Sequence, residues 1–241
     1  MVKRKTALKI RQVHRYLGIF IGLQFIMWTV SGLYFSWTDI DEVHGDQFKK
    51  VEMVHSNFSD LGSPSEFNPD TEINSLELKD IAGEPYFYIN HSTLQNARTG
   101  EIKKSLSETE AVAVADQHMI DGLKVTAVER ITSTGNHHEY RGGPLPAYVI
   151  SYDTPENIRA YVSIADGTFR TLRHRNWRWF DFLWMTHTMD YGGRDDFNNL
   201  ILRGFSLLGL ITVFSGFLLW YTSSPTVRKF SNKKKKGVTN F

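Results

Sequence analysis

The chain has 241 residues, a formal net charge of +2 and no cysteine. The lack of cysteine excludes disulfides, thiolate metal sites, a thioether-linked haem and a cysteine nucleophile. The hydrophobic content of 41 % is ordinary for a globular protein, but the apolar residues are concentrated near the two ends of the chain. The organisation of the chain therefore has to be read segment by segment.

Two long charge-free segments lie near the ends of the chain. Tyr16 to Thr38 has 23 residues without a charge, and Gly204 to Val227 has 24. About 20 apolar helical residues cross the hydrocarbon core of a bilayer, so each segment predicts a transmembrane helix. A cleaved signal peptide is the rival interpretation of the first segment. That segment is long for a signal core and no Ala-x-Ala site follows it, which favours an uncleaved anchor.

Charge is distributed very unevenly along the chain. Residues 1–15 hold six basic side chains and the tail after Tyr221 holds six more, with no acid in either segment. All 26 acidic residues lie between Asp39 and Asp196 together with 15 basic ones, so that region is near −11. The positive-inside rule predicts that both termini are cytoplasmic and that the central domain lies outside the inner membrane, in the periplasm. The terminal lysines are expected to contact lipid headgroups, so no nucleic-acid partner is expected.

The central region predicts a mixed α and β domain. Ser107 and Glu110 form a capping box that begins a helix reaching Met119. The predicted strands are Glu72–Leu78, Glu84–Asn90, a short run ending at Thr99-Gly100, Lys124–Thr132, Ala147–Tyr152, Arg159–Ile164 and Thr168–Leu172. His137 and His138 lie in a polar loop without ligand spacing, so a surface loop is expected there rather than a metal site.

An aromatic segment precedes the second charge-free run. Trp177, Phe180, Trp184 and His187 are spaced by three, four and three residues, so they share one face of a helix. Such aromatics are typical of the membrane–water interface. The segment is therefore expected to be an interfacial helix that presents His187, and a plain interfacial anchor with an incidental histidine is the alternative.

Both predicted transmembrane helices carry small residues on one face. Gly18 and Gly22 follow His14 at helical spacing, and Gly209 and Gly216 share a face of the second helix. Small residues allow close approach of a neighbouring helix or of a flat ligand, so these four glycines are predicted helix-packing residues. A close-packed helix pair with a solvated His14 is one interpretation. A homodimer that brings four helices together is the other.

Several motifs resemble a known family. Ser107–Leu172 resembles a PepSY domain, and 72–104 resembles a degenerate second copy. The family of PepSY-associated transmembrane helices shows similar motifs, here Arg11-x-x-His14-Arg-Tyr-Leu-Gly18 with Ser31-Gly32, and Phe182-Leu-Trp-Met-Thr-His187-x-x-x-Tyr191-Gly192 with Ser215-Gly216-x-x-Leu-Trp220. The resemblance covers most of the chain.

The expected fold is an α+β membrane protein, with two transmembrane helices flanking a PepSY-like domain in which a helix packs on an antiparallel sheet. The expected boundaries are a cytoplasmic basic segment (1–15), the first transmembrane helix (16–38), a linker (39–71), the degenerate unit (72–104), the PepSY-like domain (105–175), the interfacial aromatic helix and turn (176–196), the second transmembrane helix (197–222) and a cytoplasmic basic tail (223–241).

The resemblance implies a function, because some larger members of that family are inner-membrane ferric-siderophore reductases that hold haem b through histidines. By that resemblance His14 and His187 are candidate axial ligands of haem iron. The two residues are expected on opposite membrane faces, roughly 30 Å apart, so they cannot share one haem. A homodimer would supply the second ligand at each position, and His44 is a less favoured mate for His187. The chain differs from those larger members in having two predicted transmembrane helices rather than four or more.

Three functions remain open at this point. The first is haem-mediated electron transfer across the membrane that supports periplasmic reduction of ferric siderophores. The second is a non-enzymatic PepSY module that binds or inhibits a periplasmic partner, and the third is an accessory subunit of a membrane complex. No hydrolase motif or nicotinamide- or flavin-binding motif is present, so electrons would come from another protein or a quinol.

Overall fold

The computed structural model describes residues 4–51, 56–67, 69–70 and 72–225. Most of the predicted cytoplasmic tail, from residue 226 onward, lies outside the described residues, as do residues 1–3 of the basic N-terminal segment. The chain divides into two compact units. The helical unit comprises Met1–Trp37 and Leu183–Phe241, and the strand unit comprises Thr38–Phe182.

The helical unit is built on two long helices. Helix α1 spans Arg4–Trp37, and the last helix, α6, spans Leu200–Ser223. Within them, Leu8–Trp37 and Leu200–Ser223 are long and apolar enough to cross a membrane. Only 6 % of the most apolar α6 window is buried, unlike the core helix of a soluble protein, so its apolar surface faces outward. The two predicted transmembrane segments therefore correspond to two candidate membrane-spanning helices.

Between them lies the amphipathic helix α5, which spans Arg175–Thr188. Its residues up to Phe182 belong to the strand unit, and those from Leu183 onward belong to the helical unit. The aromatic segment of the sequence is therefore helical, as predicted. Asn199 then begins α6 as an N-cap, because its side-chain oxygen accepts a hydrogen bond from the Leu202 backbone N–H.

The strand unit holds two four-stranded antiparallel sheets, each with its strands in chain order. The first sheet comprises β1 (Leu76–Ile81), β2 (Glu84–Ile89), β3 (Thr93–Asn96) and β4 (Ile102–Lys103). The second comprises β5 (Val125–Ile131), β6 (Ala147–Tyr152), β7 (Arg159–Ser163) and β8 (Phe169–Arg173). The short helices α2 (Ile40–His44) and α3 (Pro64–Phe67) and a 3-10 turn (Asp46–Phe48) precede the first sheet.

Helix α4 (Glu108–His118) lies in the chain between the two sheets and packs on both. Its N-terminus is the predicted capping box, because Ser107 and Glu110 each bond the other's backbone N–H. Its buried face carries Ala111, Val114 and Ala115, which join one hydrophobic core with residues of both sheets. The predicted α+β architecture, with two candidate transmembrane helices flanking antiparallel sheets and helices, is confirmed.

The first strand begins later than its sequence pattern predicts. A strand was expected from Glu72, but β1 begins at Leu76. The Asn90 side chain explains the difference, because its amide donates to the Glu72 carbonyl and its oxygen accepts from the backbone N–H groups of Asn74 and Ser75. These backbone groups are satisfied locally by a side chain and not by a strand ladder.

Candidate functional site

His14 lies on α1 and contacts α6. Its Nδ1 lies 2.7 Å from the Ser215 hydroxyl oxygen. The ring also packs closely on the neighbouring Gly216, where a Cβ would lie 3.3 Å from the His14 Cε1. Any larger residue at position 216 would therefore press on the imidazole. The lack of a side chain at Gly216 lets the His14 ring fit between α1 and α6.

His187 lies near the end of α5 and contacts α1. Its Nδ1 lies 2.7 Å from the Ser31 hydroxyl oxygen. The ring centroid lies 5.6 Å from that of Phe35 and 6.5 Å from that of Trp28, so α1 aromatics flank the imidazole. The C-terminal end of α5, the predicted interfacial helix, therefore packs against α1. The contact lies six residues before the end of α1.

The two contacts form a reciprocal pattern across the chain. His14 belongs to the first motif and bonds Ser215 of the second, whereas His187 belongs to the second motif and bonds Ser31 of the first. Each pair joins a histidine to a serine on another helix. We call these the His14–Ser215 pair and the His187–Ser31 pair.

Each serine hydroxyl lies between an imidazole and a backbone carbonyl. The Ser215 hydroxyl lies 2.7 Å from the Thr212 carbonyl oxygen, and the Ser31 hydroxyl lies 2.7 Å from the Met27 carbonyl oxygen. A hydroxyl has one proton, so a serine that donates to its carbonyl accepts from the imidazole Nδ1–H. This arrangement leaves Nε2 as the ring nitrogen with the lone pair in a neutral histidine.

The carbonyl groups at the end of α5 are held by side chains of the helical unit. The Gln24 amide donates to the Thr186 carbonyl at 3.0 Å, and the Trp28 indole N–H donates to the His187 carbonyl at 2.7 Å. The Asn199 amide donates to the Thr188 carbonyl at 2.9 Å. The last carbonyls of a helix lack partners within the helix, so these three donors fix its end and with it the backbone of His187.

The four predicted packing glycines fall into two groups. Gly209 lies against the Phe25 ring, where a Cβ would be 3.4 Å from the nearest carbon, and Gly216 lies against His14. A Cβ on Gly18 or Gly22 would meet no atom of another described element within 4 Å. The face of α1 that follows His14 is therefore open beside these two glycines.

The two histidines lie far apart along α1. His14 and Ser31 are separated by 17 residues of one continuous helix. At 1.5 Å per residue, this corresponds to roughly 25 Å between the two pairs along the α1 axis. One ligand cannot be held by both imidazoles, which agrees with the separate positions expected from sequence.

The other described histidines belong to the strand unit, where His118 holds its Nδ1 on the Val114 carbonyl of its own helix at 2.8 Å. His44 is exposed at the end of α2, in the strand unit. His137 and His138 lie in the loop before β6, where the His138 Nδ1 accepts the Tyr140 backbone N–H. Within the described ranges no group of three or more His, Cys, Asp or Glu residues could hold a metal ion.

The donor set of the two pairs fits the axial ligation of haem iron. An axial histidine binds iron through one ring nitrogen, and its other N–H is held by a neighbouring acceptor that orients the ring. His14 and His187 both hold Nδ1 on a serine, so Nε2 is the ring nitrogen that is left to bind iron. Each pair supplies one imidazole only, so a low-spin site needs a second axial ligand from outside these residues.

The roles of the serines and of the α5 donors are not evident from sequence. Ser31 and Ser215 stand in the quoted motifs without an assigned partner, because their contacts depend on the register between helices. Gln24 gives a weak signal as an amide within a charge-free apolar run, since a polar group in hydrocarbon needs a partner. Trp28 and Asn199 give none.

Comparison with known proteins identifies one family. The profile described as PepSY-associated TM region matches residues 1–226. No curated relative and no solved structure matches the chain. The match includes both helices of the helical unit, both histidines and both serines.

Proposed function

The chain belongs to the family of the PepSY-associated TM region, and we propose that it is a haem b-dependent electron-transfer protein of the bacterial inner membrane. Its role would be to support the reduction of ferric siderophores in the periplasm. The two candidate membrane-spanning helices and the family make it a membrane protein, for which a lipid bilayer is the surrounding medium. The haem, the iron substrate and the orientation are part of the proposal.

The observation that carries the proposal is that both imidazoles make the same contact, from Nδ1 to a serine on another helix. Each histidine has its Nδ1 at 2.7 Å from a serine hydroxyl that also reaches a backbone carbonyl. Iron binds the unprotonated ring nitrogen of a histidine whose other nitrogen is held by a neighbouring group, and both positions offer this arrangement through Nε2.

Haem b held at these positions would supply reversible one-electron chemistry, with its potential set by ligation and burial. The residues of the chain orient the ligands. Ser215 and Gly216 hold His14 on one side of α1, while Ser31, Phe35 and the capped end of α5 hold His187.

A second copy of the chain would complete the coordination. A homodimer would supply a second, identical histidine to hold the haem at each position. The open α1 surface beside Gly18 and Gly22 is compatible with close approach of another backbone or of a flat ring next to His14. Electrons would enter from a quinol or another protein and leave to a ferric chelate.

The test is an absorption spectrum of the full-length protein, purified in mild detergent after expression with sufficient haem supply. The proposal predicts a sharp Soret band and, after dithionite reduction, the α and β bands of low-spin haem b. The molar mass of the protein–detergent complex and the haem-to-protein ratio would show whether a dimer carries two haems. A featureless spectrum from folded, haem-supplied protein would contradict the proposal.

A partner-binding function is the second candidate, and one observation favours it. Strand β5 lies at the edge of its sheet, where it pairs with β6 on one side. An extended segment of another protein can add to such an edge through main-chain hydrogen bonds. Folded protein without haem that captures a periplasmic protein, and loses it when β5 is blocked by a proline, would support this function instead.

A further inference from the structure

A polar cleft of about 460 Å³ opens in the strand unit beside Arg159 of β7 and Arg178 of α5. Thr126 and Ser151, from the paired strands β5 and β6, and Asn157, from the turn before β7, contribute to its wall. Small-molecule sites usually occupy about 300–1,000 Å³. The cleft is therefore large enough for a small organic molecule, and hydrogen-bonding side chains surround it.

Positive charge is in excess at this cleft. Arg178 holds the Glu139 carboxylate with two nitrogens, at 2.5 and 3.1 Å, and Arg159 shares the same carboxylate at 3.3 Å. One carboxylate thus faces two guanidinium groups. Arg173 adds a third guanidinium behind them, and its Nε donates to the backbone carbonyl of Glu139 at 3.0 Å.

The cluster is held in place by its own contacts. The Tyr161 hydroxyl donates to Glu139 at 2.6 Å, and the Arg178 Nη1 donates to the Asn157 carbonyl at 2.9 Å. Burial lowers the pKa of the Arg173 guanidinium, whereas Tyr161 and Glu139 act in the opposite direction. Because Arg159 and Arg178 share one carboxylate, a bound anion would balance the second guanidinium charge.

The excess of positive charge at this cleft is unusual for a region of the chain that is acidic as a whole. The region from Asp39 to Asp196 holds 26 acidic and 15 basic residues, so most of its charge is negative. A guanidinium presents a planar fork of N–H donors that matches a carboxylate or phosphate, and hydroxyl and amide groups add further donors. The Arg159 side chain keeps 50 % of its surface exposed, so it can turn towards a ligand while Arg178 remains on Glu139.

We propose that this cleft is an oxyanion-binding site, in which Arg159 and Arg178 bind the carboxylate or phosphate group of a small molecule or of a lipid headgroup. The site does not depend on haem or on electron transfer. Its ligand is defined by the carboxylate or phosphate group that a soluble anion and a lipid headgroup have in common.

The experiment measures binding to the full-length protein in a neutral detergent by isothermal titration calorimetry. The probes are citrate, inorganic phosphate and a water-soluble short-chain phosphatidylglycerol, with sodium chloride at matched ionic strength as the reference. Tighter binding of citrate or phosphate would identify a soluble anion as the source. Tighter binding of the short-chain lipid would identify a headgroup.

The variants are Arg159→Gln, Arg159→Lys and the matched control Arg98→Gln, which removes an exposed arginine that pairs with Glu84 in the same unit. We expect Arg159→Gln to weaken binding of the preferred probe about tenfold or more, because a charge-assisted hydrogen bond is lost. Arg159→Lys should weaken it less, and Arg98→Gln should leave it unchanged. Absence of binding beyond the chloride reference, or equal loss in Arg159→Gln and Arg98→Gln, would overturn the proposal.

Discussion

The helical unit and the strand unit both pair polar groups away from water, but they use different chemistry. In the strand unit a largely buried carboxylate, Glu139, is shared between Arg178 and Arg159. In the helical unit the corresponding contacts are neutral, with imidazole to hydroxyl in the His14–Ser215 and His187–Ser31 pairs and amide to carbonyl at Gln24. The strand unit thus uses ion pairs, whereas the unit with the candidate membrane-spanning helices uses hydrogen bonds between uncharged groups.

Ion pairs need a medium that can tolerate charge, whereas a bilayer core penalises it strongly. The His187–Ser31 pair and the Gln24 contact join uncharged groups within the charge-free part of α1. The difference between the units therefore follows from the medium that surrounds each kind of contact.

Breaking the charged network should have the largest effect. Glu139→Ala leaves Arg178 and Arg159 without their shared carboxylate and the Tyr161 hydroxyl without its acceptor, and we expect a loss of about 2 kcal/mol in the free energy of unfolding. Urea unfolding of the full-length protein, followed by the far-ultraviolet circular dichroism of the sheets, measures it. Glu84→Ala removes an exposed pair with Arg98 and should cost less than about 1 kcal/mol. Equal losses would mean that the Glu139 network adds no more than a surface pair.

Removing the buried amide of the helical unit should have a smaller effect. Gln24→Leu deprives the Thr186 carbonyl of its donor, and we expect a cost of about 1 kcal/mol. Hydrogen exchange of the backbone amides near the end of α5 should then become several-fold faster. Thr29→Val is the control, because the Thr29 hydroxyl bonds a carbonyl of its own helix. Unchanged exchange in the Gln24 variant would show that this contact does not hold α5.

The tautomer assignment can be tested without haem. Ser31→Ala removes the acceptor for the His187 Nδ1–H, at an expected cost of about 0.6 kcal/mol, and should let the imidazole populate both neutral tautomers. The side-chain nitrogen chemical shifts of His187 report this directly. Ser36→Ala is matched to it, since the Ser36 hydroxyl bonds the Leu33 carbonyl on the same helix. A wild-type spectrum with the proton on Nε2 would contradict the assignment.

The smallest effect concerns pH in the strand unit. Burial lowers the pKa of His174, while hydrogen bonds to the Val43 and Glu42 backbone act against it only in part. A depressed folded-state pKa gives stability that is complete above the unfolded pKa of about 6.5 and is lost as the pH falls towards the lower folded value. The melting temperature should therefore fall between pH 7 and pH 5.

His174→Phe should make this decline shallower, because position 174 no longer titrates. His91→Gln changes a histidine whose side chain is 67 % exposed and should keep the wild-type slope. The same decline in the His174 variant and in the wild type would assign the effect to other groups.

Local signals predicted much of the fold. The capping box of Ser107 and Glu110 needs only residues within one helical turn, and α4 begins where it places the helix. Strand β6 matches its predicted range from Ala147 to Tyr152 because the apolar run is continuous and is buried on both faces. The first strand was placed too early, because the Asn90 side chain that holds Glu72 lies 18 residues away in sequence.

The candidate site was predictable only in its residue types. Motifs identified His14, His187 and the small residues, but the pairs join positions 201 and 156 residues apart, so sequence spacing could not reveal them. The register between helices decided which glycines became contacts. Gly209 and Gly216 lie against α1 side chains, whereas Gly18 and Gly22 remain open.

The central claim is that His14 and His187 each bind haem iron at a separate position. Its most direct test is the haem content per chain of His14→Ala, His187→Ala and the double variant, purified with haem supply beside His91→Ala. We expect each single variant to lose about half of the wild-type haem, the double variant to lose all of it, and His91→Ala to lose none. A full haem complement in both single variants would contradict the assignment.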